Sequence, residues 1–77
     1  MNPIRLYGVT VREVAPSPVR ISIEMDAVYA GRGAAMAKAS KLAAKRDDVF
    51  YVHEYERVSG FEYRHVSTWA VIPGGRS

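Results

Sequence analysis

Cysteine is absent from this chain of 77 residues. That excludes disulfides, thiolate metal sites and a cysteine nucleophile. Small secreted domains often depend on disulfide staples, so a chain without them is expected in a reducing, cytoplasmic setting. No apolar run approaches the roughly 20 residues that span a bilayer. Residues 1–15 do not read as a signal peptide: they alternate polar and apolar and carry Arg5, Arg12 and Glu13. No membrane partner is therefore expected. The Walker and dinucleotide glycine spacings are missing, and Gly31-Arg32-Gly33 reads as a strand-to-helix turn. There is no evident serine triad and the carboxylates are scattered, so no enzyme is expected. Only two histidines occur. His53 and His65 with Glu54 supply two metal ligands and an uncertain third, too few to predict a metal site, and no cofactor is expected.

What is present is a modest basic excess: 11 Lys and Arg against 8 Asp and Glu, a formal charge of +3. This suits a polyanionic partner without demanding one. The length fits one domain over residues 1–77, with residues 73–77 as a flexible tail.

Ile4 to Val14 reads as a first strand, rich in β-branched residues. Its phase changes at Gly8, where a β-bulge would restore the alternation. Pro16 and Pro18 stop it. Val19 to Tyr29 is the clearest strand: Val19, Ile21, Ile23, Met25, Ala27 and Tyr29 point one way, and Arg20, Ser22, Glu24 and Asp26 the other. The alanine-rich stretch from Ala34 to Arg46 predicts a helix, with Ala35, Met36, Ala39, Leu42 and Ala43 as its buried stripe and Lys38, Lys41 and Lys45 on its far side. Asp47-Asp48 ends it. Val49–Val58 and Phe61–Ile72 form a closing hairpin. The fold class is thus α+β: a two-layer ββαββ domain, one helix packed on a four-stranded, mainly antiparallel sheet. The helical connection is long enough for a right-handed crossover, which would make the second and third strands parallel.

Two hairpin registers fit the sequence. A two-residue Ser59-Gly60 turn sets Glu54 opposite His65 and Phe50 opposite Trp69. A three-residue Val58-Ser59-Gly60 loop sets Arg57 opposite Phe61 and pairs Glu54 with Arg64. The second is preferred for that cross-strand ion pair. It also gathers Tyr51, His53, Tyr55, Tyr63, His65 and Trp69 on one face, a candidate surface for a protein partner. The same rings would be core if the helix covers that face. Lys38, Lys41 and Lys45, with Arg57 and Arg64, are candidate phosphate contacts, although any solvated helix face is charged. The lysines are expected to point away from the sheet, so the two surfaces should not form one groove.

The segment AAMAKASKLAAKRDDVFYV, an Ala-Lys helix running into a V-x-V-type strand, resembles small orphan proteins encoded by phages of actinobacteria. The resemblance covers the helix and the third strand and carries no functional residue. It implies binding to a host or phage macromolecule rather than catalysis. The expectation is a small non-catalytic binding protein that acts through protein contacts and self-associates as a homo-oligomer. The alternative is a nucleic-acid-binding module using the basic helix face.

Overall fold

The computed structural model describes residues 4–73. Four strands, β1 (Arg5–Thr10), β2 (Ala27–Tyr29), β3 (Phe50–Ser59) and β4 (Glu62–Val71), form one sheet in the order β2-β1-β3-β4, with every neighbouring pair antiparallel. Two helices interrupt them: the one-turn α1 (Ile21–Glu24) and the long α2 (Arg32–Arg46). The expected α+β architecture, a helix on a four-stranded antiparallel sheet, is the observed one. Since β2 and β3 both oppose β1, they run in the same direction, but β1 lies between them and they are not neighbours. The unit β2-α2-β3 is therefore a split βαβ crossover.

Helix α2 forms where alanine is densest, and its buried residues are Ala35, Ala39, Leu42 and Ala43, with Met36 half-buried. This is the expected stripe. It packs on Val9, Phe50 and Val52, with Tyr7, Tyr29, Trp69 and Val71 at the margin. Full burial of a Val or Phe side chain contributes about 1.5–3 kcal/mol. Three alanines in the seam let the helix lie close to the sheet. At its two ends Arg32 stacks over Trp69 (5.6 Å) and Arg46 over Phe50 (5.5 Å). The helix stops at Asp47, whose φ of 54° is left-handed, while the Asp48 N–H closes on the Ala43 carbonyl at 3.2 Å. Aspartate is among the few residues other than glycine that tolerate this conformation.

Three expectations are corrected. The strand drawn from Val19 to Tyr29 exists only from Ala27. Before it, Pro18–Arg20 is a 3₁₀ turn that runs into α1. Pro18 pre-sets the φ of a first helical turn, and Arg20 and Glu24, four residues apart, form an ion pair along the resulting helix. The alternating Val19, Ile21 and Ile23 then bury only Ile21. The first strand ends at Thr10 rather than Val14, and Gly8 carries no bulge. Its register is regular on both sides. A Cβ at Gly8 would sit 2.6 Å from Met25 Cε and 2.8 Å from Met25 Sδ. The glycine is there so that Met25 can lie across the strand.

The hairpin follows neither expected register. Ser59 opposes Glu62, so Gly60-Phe61 is the turn, with Gly60 at φ 47°. Glycine with positive φ in the first central position is what a type II′ turn needs. Two irregularities follow. Val58 is extra on β3, between the pairs Arg57↔Tyr63 and Ser59↔Glu62. Val66 is extra on β4, between Tyr55↔His65 and Glu54↔Ser67. The preferred Glu54–Arg64 pair is not formed: Arg64 opposes Glu56 and bonds it at 3.1 Å.

The segment 11–26 crosses the sheet face opposite α2. Asp26 N–H donates to the Val9 carbonyl (2.8 Å), and the Thr10 hydroxyl donates to the Glu24 carbonyl (3.4 Å). The expected flexible tail lies, beyond Pro73, outside the described residues.

Candidate functional site

The bulge at Val66 divides the aromatic set that the sequence placed on one face. Side chains alternate along a strand, and one extra residue inverts the alternation beyond it. Tyr63 and His65 therefore stay with Tyr51, His53 and Tyr55 on the face covered by segment 11–26. Ser67 and Trp69 pass to the α2 face. There Trp69 is half-buried, 6.4 Å from the Tyr7 ring.

On the segment 11–26 side, His53 and Tyr55 retain no exposed surface. The Tyr55 hydroxyl donates to the Pro16 carbonyl at 2.6 Å, and burial, with a smaller push from Glu24, moves its pKa up to about 12. His53 Nε2 donates to the Arg12 carbonyl at 2.8 Å, and its Nδ1 lies 2.8 Å from the Thr68 hydroxyl. Burial lowers the His53 pKa, aided by the nearby His65 and opposed by the Arg12 carbonyl. Tyr51 is half-buried and stacks on His53 (6.3 Å, 14°). His65 is exposed, 5.6 Å from both the His53 and the Tyr55 ring and edge-on to each. Tyr63 is half-buried opposite Arg57. This constellation fastens a covering segment to a sheet. It does not present six rings to a partner.

The arginines of the sheet are largely neutralised. Arg5 pairs with Glu54, and with Glu56 at 3.7 Å, while Arg64 takes the other side of Glu56. The Tyr7 hydroxyl also donates to the buried Glu54 carboxylate at 3.3 Å. Arg12 (3.2 Å) and Arg20 share Glu24. These pairs offset positive charge at the surface. Neither Arg57, half-buried on the sheet face opposite α2, nor Arg64 joins the lysines.

The lysines remain. Lys38, Lys41 and Lys45, spaced by three and four residues, share one stripe of α2. Lys41 and Lys45 are exposed and Lys38 is half-buried. The helix Arg32–Arg46 contains no carboxylate, and none of its cations is ion-paired among the described residues. The sequence places this stripe clear of the sheet; two of its members, Lys38 and Lys41, instead stand beside Tyr29 of the edge strand β2 and line an open recess of about 210 Å³ with it, Ala34 and Ala37. Tyr29 is the residue that sequence reasoning missed. It read as one more inward-facing strand residue. The available signal was its position, the last aromatic before Gly31, where a strand hands over to the lysine-bearing helix.

Among the described residues no group of three or more His, Asp or Glu side chains could hold a metal ion, and no helix is long and apolar enough to cross a membrane. No protein-family model, no curated protein and no solved structure matches the chain.

Proposed function

We propose that this chain is a small, non-catalytic binding protein of the phage type, working in the cytoplasm, whose lysine-bearing flank of α2 contacts the phosphates of a nucleic acid. The observation that carries the reading is the distribution of charge. Ion pairs engage Arg5, Arg12, Arg20 and Arg64, whereas Lys38, Lys41 and Lys45 stand on one stripe without a carboxylate partner among the described residues. Lysines arranged in this way are suited to phosphate contacts that are independent of sequence.

The test is titration of a labelled mixed-sequence strand and its duplex at salt between about 50 and 200 mM. Three phosphate contacts give a slope of log K against log salt of about −2 for a single strand and about −3 for a duplex. The triple variant Lys38→Gln, Lys41→Gln, Lys45→Gln should abolish most of that slope while keeping its helical circular dichroism. Absence of binding at low salt, or a slope untouched by the triple variant, refutes the reading.

A second reading, contact with a protein partner including a second copy of the chain, is favoured by one observation. Val14, Val19, Ile23 and Phe61 stand 81%, 84%, 70% and 89% exposed, large apolar side chains that a partner's surface would take out of water.

A further inference from the structure

We infer that the recess beside β2 takes one unpaired base of a single-stranded nucleic acid, with the adjoining phosphates held by Lys38 and Lys41. The inference rests on the nucleic-acid reading above and specifies which form of nucleic acid the site selects. Its basis is a juxtaposition that the sequence concealed. Lys38 and Lys41, three residues apart on α2, line the recess from the helix side. Tyr29, half-buried and packed against the core, lines it from the strand side, and Ala34 and Ala37 line the remainder.

The dimensions and chemistry narrow the occupant. A recess of about 210 Å³ is smaller than the roughly 300 Å³ at which pockets for drug-sized ligands begin. It suits a single flat ring rather than a cofactor. A tyrosine beside two lysines supplies the two elements by which single strands are held: an aromatic ring for a base and positive charge for the backbone. Stacking of this kind is tolerant of sequence, because every base has a π-face. A duplex keeps its bases paired and stacked, so it reaches the lysines but cannot fill the recess.

The deciding variant is Ala37→Leu. Ala37 is exposed on α2 and leucine is a good helix former, so the helix is retained and no charge is lost. The recess is filled instead. Tyr29→Leu removes the ring at similar bulk, and Tyr29→Phe keeps it. Binding is measured with a mixed-sequence single strand, the matching duplex and polyglutamate of equal charge. The expected result is that the single strand binds more tightly than the duplex. Ala37→Leu and Tyr29→Leu should weaken the single strand about tenfold, with Tyr29→Phe near wild type and duplex affinity unchanged. If single strand and duplex bind alike and Ala37→Leu affects neither, the base-recess inference falls while the lysine interface stands. If polyglutamate binds as well as the single strand, the site recognises charge alone, as an acidic protein segment would, and the inference also falls. If no nucleic acid binds at low salt, both readings fail together.

Discussion

Mild acid should destabilise this domain through one residue, His53. The ring is wholly buried. A carbonyl only accepts, so the Nε2 facing the Arg12 oxygen carries the proton. In a neutral ring Nδ1 must then accept, and the Thr68 hydroxyl donates to it. A hydroxyl has a single proton, so Thr68 Oγ1 accepts from His65 Nε2, 2.7 Å away. The chain runs in one direction, from His65 through Thr68 and His53 to Arg12. A second proton on His53 would go to Nδ1 and set a donor against a donor. Thr68 would have to turn its proton to His65 and force the other tautomer there. Burial adds to this cost by removing water from the charged ring, and the folded-state pKa lies below 6.5. The unfolded chain takes up the proton near pH 6.5, and the folded chain only at lower pH. In between, the unfolded state binds more protons, so stability falls as pH falls. The stabilisation is fully present above about pH 6.5 and is lost as pH drops through the folded-state value, at a limiting rate of about 1.4 kcal/mol per pH unit. The assay is urea unfolding at steps between about pH 7.5 and 5, for the wild type and for His53→Gln, whose amide can still donate to the Arg12 carbonyl but does not titrate. The variant should be less stable at neutral pH and should show a flatter decline. Parallel declines in the two proteins would refute the argument, because the acid sensitivity would then belong to another group.

Tyr55→Phe should remove a buried donor and leave the Pro16 carbonyl unsatisfied. The expected loss is about 1–3 kcal/mol, read as a fall in melting temperature of about 4–8 °C per kcal/mol for a domain of this size. Amide exchange should speed up first at Asp26 and its neighbours in segment 11–26, and uniform acceleration across the sheet would contradict the role given to that bond. Val19→Glu with Ile23→Glu tests the protein-contact reading. Light scattering should show any self-association of the wild type reduced to monomer, with the melting temperature almost unchanged, since both side chains already face solvent. A wild type that is monomeric at every concentration removes self-association from consideration.

Helix α2 was legible because its signals agree: alanine content, a stripe at helical spacing and an acidic stop all name the same residues. The hairpin was legible in outline and not in register. Gly60 can occupy more than one position in a tight turn, and nothing in Val58 or Val66 marks either as unpaired. Its partner strand decides that. Segment 19–24 misled for a different reason. Val19, Ile21 and Ile23 alternate as a strand does, but a single helical turn also separates Val19 from Ile23. Pro18 and the Arg20–Glu24 spacing were the local signs of that turn. The recess could not be read at all, since it joins residues of α2 to Tyr29 of β2, and their approach is a matter of tertiary packing. His53 was legible as a candidate but not as a fastener, because its partners come from the covering segment and from beyond the bulge.

The bulge at Val66 has a further consequence. Strand β4 forms one border of the sheet. A flat border of ten residues would be a template on which further chains could add strand after strand. The extra residue interrupts that border near its middle. It leaves two short stretches, Glu62 to His65 and Ser67 to Val71, whose edges are twisted relative to each other. The first of them also carries Glu62 and Arg64. A chain arriving in extended form can match one stretch but not both in a single register. The irregularity that distributes the rings between two faces therefore also limits open-ended sheet growth.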